Sequence, residues 1–165
     1  MVRLDAIFAA LAGEIAQENV TLREEGLTPL AHTEIRVMGQ MSLLSNTEVQ
    51  AQIRLIATVD VDATVRGEFW VQKKFEELLL KDGLELDPVA SEIWLPAEAT
   101  FTEMFSSNLL TCLRLDALYA LVSKAIKAKE KNRILIRQAL PIFGRELEDL
   151  IKKYGGDLVY FEEQD

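Results

Sequence analysis

Asp60 and Asp62 are the only charges inside the apolar, β-branched run Leu55-Ile-Ala-Thr-Val-Asp-Val-Asp-Ala-Thr-Val65, which is flanked by Arg54 and Arg66. Side chains two apart on a strand project to the same face. The spacing therefore predicts that four carboxylate oxygens are presented to one spot, beside residues suited to a sheet core. Carboxylates so placed repel each other and are costly to desolvate unless a cation or hydrogen-bond donors compensate. A hard divalent cation such as Mg²⁺ takes oxygen ligands of this kind, so the chemistry the pair points to is metal-assisted. An edge strand whose polar face is simply wet carries the same pattern.

A second group is basic. Lys124, Lys127, Lys129, Lys131, Arg133 and Arg137 interrupt an otherwise acidic chain, and Lys124, Lys127 and Lys131 recur at i, i+3, i+7. On a helix they form one positive stripe, either for phosphates or as a solvated face paired with Glu130. Lys124 stands apart because it follows Leu121-Val-Ser123 on an apolar face, where a lysine calls for a specific partner. The single histidine, His32, and the single cysteine, Cys112, provide no soft-metal ligand set, and zinc is not expected. Cys112 reads as a small core residue, His32 as a loop residue, and Trp70 and Trp94 as packing residues. No Walker loop, dinucleotide fingerprint or nucleophile elbow occurs.

The elements that position these residues follow from length and periodicity. A chain of 165 residues, 49% of them hydrophobic, predicts one domain over 1–165 with a well-formed core. The excess of 27 acidic over 18 basic residues, a net charge of −9, argues against broad DNA or other nonspecific nucleic-acid binding. Asp5 and Glu14 interrupt the N-terminal apolar stretch, which reads as an amphipathic helix over 3–18 and not a signal peptide. No run approaches the about 20 apolar residues of a membrane span, and a soluble, cytoplasmic protein is expected.

Strands are expected at 34–38, 53–65, 84–86, 91–95 and 109–115, and a short helical turn at 40–45. Helices are expected at 69–80, stopped by Asp82-Gly83, and at 116–129, 132–140 and 144–154, the last closed by Gly155-Gly156. Leu158-Val-Tyr-Phe161 reads as a short strand or an apolar anchor before an acidic end. The predicted class is α+β, a mixed sheet flanked by helices over about 30–115, with a helical C-terminal third over 116–156.

This order resembles the nucleotidyltransferase superfamily of DNA polymerase β type, in particular its small prokaryotic members, including relatives of toxin and antitoxin nucleotidyltransferases. There a strand leads into a Gly-Gly or Gly-Ser turn and a short helix, followed by an Arg-x-Thr-x-Asp-x-Asp strand. The similar segments here are Val37-Met-Gly39-Gln-Met-Ser42-Leu-Leu44 and Arg54 through Thr58-Val-Asp60-Val-Asp62, with Glu92-Ile-Trp94-Leu-Pro96 and Ser123 to Arg133 as further points of likeness. The resemblance implies transfer of a nucleotidyl group from a nucleoside triphosphate to a protein or RNA acceptor. Asp60 and Asp62 would hold Mg²⁺, or Mn²⁺, against the triphosphate. Glu92 would supply a third carboxylate, with Glu85 and Asp87 as alternatives. Gly39 and Ser42 would contact phosphate by amide and hydroxyl, and Arg54, Lys124 and Arg133 the nucleotide or acceptor. Two departures, Gln40-Met41 standing between Gly39 and Ser42 and Arg54 lying four residues before Thr58, suit a catalytically degraded member that acts by binding, as one component of a toxin and antitoxin pair.

Overall fold

Leu4, Ile7, Phe8, Leu11 and Ile15 recur every three or four residues, so a helix gathers them on one stripe. In a computed structural model, which describes residues 4–162, all five are buried on α1 (Leu4–Glu24). The chain continues through β1 (Thr33–Met38), α2 (Gly39–Leu44), α3 (Thr47–Gln50), β2 (Asp60–Arg66), α4 (Phe69–Lys81) and β3 (Glu85–Leu86). After a 3₁₀ turn at Ala90–Glu92 come β4 (Phe101–Ser106), β5 (Leu110–Leu115), α5 (Ala117–Lys127), α6 (Arg133–Phe143) and α7 (Arg145–Lys153). The fold is α+β with a helical C-terminal region.

The five strands make one mixed sheet in the order β3-β2-β1-β5-β4. β1 runs antiparallel to β2 and parallel to β5, β3 runs parallel to β2, and β4 runs antiparallel to β5. Alternate positions Ile35, Val37, Val61 and Ala63 pack against α1 and α4, where the Phe8 and Phe75 rings meet at 6.0 Å. Met38 and Leu115 join a second core with Leu121 and Val122 of α5, Ile136 of α6, Leu147 and Ile151 of α7, and Phe161. Each fully buried Leu, Ile or Phe contributes about 1.5–3 kcal/mol, so two such clusters hold the sheet between layers of helices.

Four elements differ from the sequence expectation, each for a physical reason. The strand expected over 53–65 is paired only from Asp60, because β1 ends at Met38, opposite Asp62, and β3 begins at Glu85, opposite Asp60. No strand forms at 91–95; Pro88 and Pro96 bracket a 3₁₀ turn, so Glu92 lies on that turn and not on a strand. β4 went unread because a register shift between Glu103 and Phe105 breaks its alternation. α3 is nucleated by Asn46, whose side chain accepts from the Glu48 and Val49 amides. The Leu158–Phe161 segment is a 3₁₀ turn whose Phe161 is buried, so the anchor reading holds. Arg3 of the expected first helix and the last three residues of the acidic end lie outside the described residues. Among the described residues no helix is long and apolar enough to cross a membrane.

Candidate functional site

Val61 and Ala63 are buried against α1 and α4, so Asp60 and Asp62 share the opposite face of β2. Asp60 is exposed at the strand start and Asp62 is half-buried one pleat further in. The parallel register pairs Asp60 with Glu85 and Val61 with Leu86, and the Asp87 amide donates to the Val61 carbonyl at 2.9 Å. This sets Asp87 beside Asp62, close enough for the two carboxyl groups to share a hydrogen bond. Asp62 is pushed up to about 6, first by burial, then by that hydrogen bond and the Asp87 charge, with Lys124 pulling the other way and Asp60 adding repulsion.

Against this pair lies the turn from β1 into α2. Gly39 has φ 61°, and a Cβ on it would overlap the Asp62 carboxylate. Glycine is required twice over, by the left-handed backbone and by the close approach. The opposite wall comes from α5 and the 92–95 loop, which the Ser123 hydroxyl fastens together by donating to the Trp94 carbonyl at 2.6 Å. The Lys127 ammonium stands 5.5 Å over the Trp94 ring, and Tyr154 meets that ring edge-on at 5.1 Å. Between the walls is a cavity of about 530 Å³ lined by Gly39, Asp62, Glu92, Trp94, Lys124, Lys127, Lys131 and Asn132. Burial holds the Lys124 ammonium below its usual range, repulsion from Lys131 adds to this, and Asp62 opposes it. Lysines facing acids across a cavity suit a ligand that carries phosphate together with a cation.

No protein-family model, curated protein or solved structure matches this chain. Its own geometry and chemistry therefore carry the functional reading.

The fold brings Gly39, Asp62, Glu92 and Lys124 onto one cavity, with Asp60 one pleat from Asp62. The candidates for a third carboxylate separate: β3 sets Asp87 against Asp62 but outside the cavity lining, while Glu92 is exposed on the cavity rim. Arg54 is exposed and lines an adjoining depression with Lys131 and Asn132. Ser42 lies outside the cavity lining: it is 1% exposed, and its hydroxyl donates to the Gly39 carbonyl at 2.6 Å, bracing the turn. Arg133 also lies outside the cavity lining. Its Nε donates to the Tyr160 carbonyl at 2.7 Å and its guanidinium stacks 4.9 Å from that ring, so it anchors the C-terminal turn.

Asn132, buried and donating from Nδ2 to the Ala128 carbonyl at 2.9 Å, was not foreseen, and neither was the exposure of Trp94 to the cavity. Only the Lys124, Lys127, Lys131 spacing signalled this wall. His32 bonds the Asn108 carbonyl and the Thr111 hydroxyl as a structural residue, and Cys112 is a buried core residue whose thiol is pushed up by burial.

As a donor set the acids suit a hard cation, though not a closed cage. Among the described residues no three His, Cys, Asp or Glu side chains converge at metal-binding separation. The Asp62–Asp87 pair is nevertheless what Mg²⁺ requires when substrate phosphates and water complete its shell, since it is bound through one or two carboxylates.

Proposed function

We propose that the chain is a Mg²⁺-dependent nucleotidyltransferase, transferring a nucleotidyl group from a nucleoside triphosphate to a protein or RNA hydroxyl. One observation carries this reading: the turn glycine Gly39, Asp62 of the Asp-x-Asp strand and the half-buried Lys124 line one cavity in the chain order the resemblance implies, with Asp87 set against Asp62 from β3. The volume falls within the about 300–1,000 Å³ of small-molecule sites. Asp62 and Asp87, with Asp60 alongside, hold the cation, and Mn²⁺ satisfies the same donors; when bound it neutralises the triphosphate and orients it. Lys124, Lys127 and Lys131 bind the phosphates, and Trp94 walls the cavity against water. The acceptor oxygen attacks the α-phosphorus, forming a P–O bond as the α,β-anhydride breaks with its electron pair on pyrophosphate; the hydroxyl proton passes to Asp87. A cytoplasmic setting, where nucleoside triphosphates are available, goes with this reading.

The test is thermal unfolding with each of the four nucleoside triphosphates plus Mg²⁺ or Mn²⁺, on the parent and on Asp60→Asn/Asp62→Asn. Ligand at about 100 times its Kd stabilises by about 2.7 kcal/mol, a rise of roughly 5–10 °C for a chain this size. The parent shifts only with metal and nucleotide together, and the variant does not. A parent unmoved at millimolar ligand removes the assignment.

A second reading, a degraded member acting by binding in a toxin and antitoxin pair, is favoured by Gln40 following the turn glycine and by Arg133 being engaged with the tail. Nucleotide binding without turnover on any acceptor selects it.

A further inference from the structure

Leu55-Ile-Ala-Thr-Val59 has the composition of a strand, yet it forms neither helix nor paired strand. Among the described residues the amides of residues 54–59 find no backbone or side-chain acceptor; the Val59 carbonyl accepts from the Glu85 amide at 2.8 Å, and Gln40 Nε2 pins the segment by donating to the Ile56 carbonyl at 2.8 Å. Leu55 packs on the second core, while two other apolar side chains face solvent: Ile56 is 82% exposed and Val59 57%, with Ile134 at 67% alongside. Folds usually guard such a row of unpaired amides with lysine, proline or a bulge, and none occurs between Leu55 and Val59.

The segment also leads to the carboxylates. A depression of about 400 Å³ at Arg54, Ile56 and Ile134 shares Gln40, Lys131 and Asn132 with one of about 190 Å³ at Ile56 and Thr58. The smaller one shares Lys124, Lys131 and Asn132 with the main cavity, so the three form one trough ending at Asp62. Arg54 and Lys131 enter no salt bridge among the described residues, in a chain of net charge −9.

We propose that residues 54–59 are a docking strand for the acceptor, and that the acceptor is an extended protein segment, β-branched and acidic, whose hydroxyl reaches the carboxylates at the Thr58 end. This rests on the transferase reading for its chemistry but not for its geometry. Main-chain pairing with the free amides gives affinity, and alternate side chains give register. Acidic residues of the partner meet Arg54 and Lys131. RNA fits the depression beside residues 54–56 poorly, because single strands bind through aromatic stacking platforms and many cations, and that depression offers aliphatic side chains and two cations, Arg54 and Lys131.

The experiment selects short random peptides displayed on phage against the parent protein, then measures the enriched peptides and an oligouridine by fluorescence anisotropy. Acidic, β-branched, hydroxyl-bearing peptides are expected, with affinity falling about tenfold or more in Ile56→Asp and in Arg54→Glu. Both positions are exposed, and thermal midpoints matching the parent certify the fold of each variant. No enrichment, peptides that bind the variants as well as the parent, or oligouridine bound by the parent and lost in the same variants overturns the proposal. Peptide binding in a protein that shows no metal-dependent nucleotide shift keeps the docking strand and removes the transferase reading, so the two failures are distinguishable.

Discussion

Where β2 meets β3, the half-buried Asp62 faces a second carboxylate, and its own carboxyl is pushed up to about 6, burial contributing most. Beside α7, Glu98 accepts from Lys153 Nζ at 2.7 Å and from the Tyr154 hydroxyl, and these bonds, the lysine's first, hold it at about 2. The same chemical group is opposed in one place and satisfied in the other. Glu98 staples the 96–99 loop to α7, as stability alone would select. Asp62 joins a like-charged pair, takes a glycine backbone against its oxygens and opens on a cavity of lysines. Local conflict of this kind, in a fold otherwise well packed, is the physical signature that singles out Asp62 as the candidate site.

The contrast breaks most readily at Gly39. Gly39→Ala forces a side chain into the left-handed region and into the Asp62 carboxylate, with an expected loss of about 1–3 kcal/mol in chemical denaturation. Adding Asp62→Ala restores part of the loss, since it removes the overlap and leaves the backbone strain. An alanine variant as stable as the parent would contradict the close approach.

Next in size is Asp62→Asn. Because the folded carboxyl titrates at about 6 against 3.8 ordinarily, its stabilising contribution is complete below about pH 4 and is lost as pH rises through 6. Asparagine does not ionise, so the variant is expected to exceed the parent at pH 7 by on the order of 1 kcal/mol, reduced from full conversion because the group is partly solvated. The difference closes toward pH 4. Urea titrations at several pH values check this, and parallel pH dependence in the two proteins would count against the raised Asp62 carboxyl.

The smallest effect belongs to the satisfied carboxylate. Glu98→Gln lowers the thermal midpoint slightly at pH 7, and because the folded group titrates at about 2 against 4.5 ordinarily, the difference fades as pH falls from 4.5 through 2. A change as large as that of Gly39→Ala would reverse the ranking of the two regions.

Much of this was legible along the chain. Apolar spacing located α1, α4 and α5, and the two-residue period put Asp60 and Asp62 on one face. The unreadable parts depend on distant partners. Glu85, Asp87 and Glu92 fall within eight residues, and nothing local separates them; the parallel register with β2 carries Asp87 to the side of Asp62. The paired length of β2 is set by where β1 ends, and the role of Arg133 by a carbonyl 27 residues away. The Ser42 bond was not legible because a helical i+3 hydroxyl returning to the Gly39 carbonyl looks, in sequence, like one aimed at phosphate.

The central claim is that Asp62, set against Asp87, exchanges its proton for a cation carried by a nucleotide. Isothermal titration calorimetry of each nucleoside triphosphate with Mg²⁺ at pH 6, in two buffers of different ionisation enthalpy, tests it directly. The account predicts that the parent binds at least one nucleotide with proton release and that Asp62→Asn binds more weakly without it. Absence of metal-dependent binding in the parent, or equal affinity and equal proton release in the variant, would contradict it.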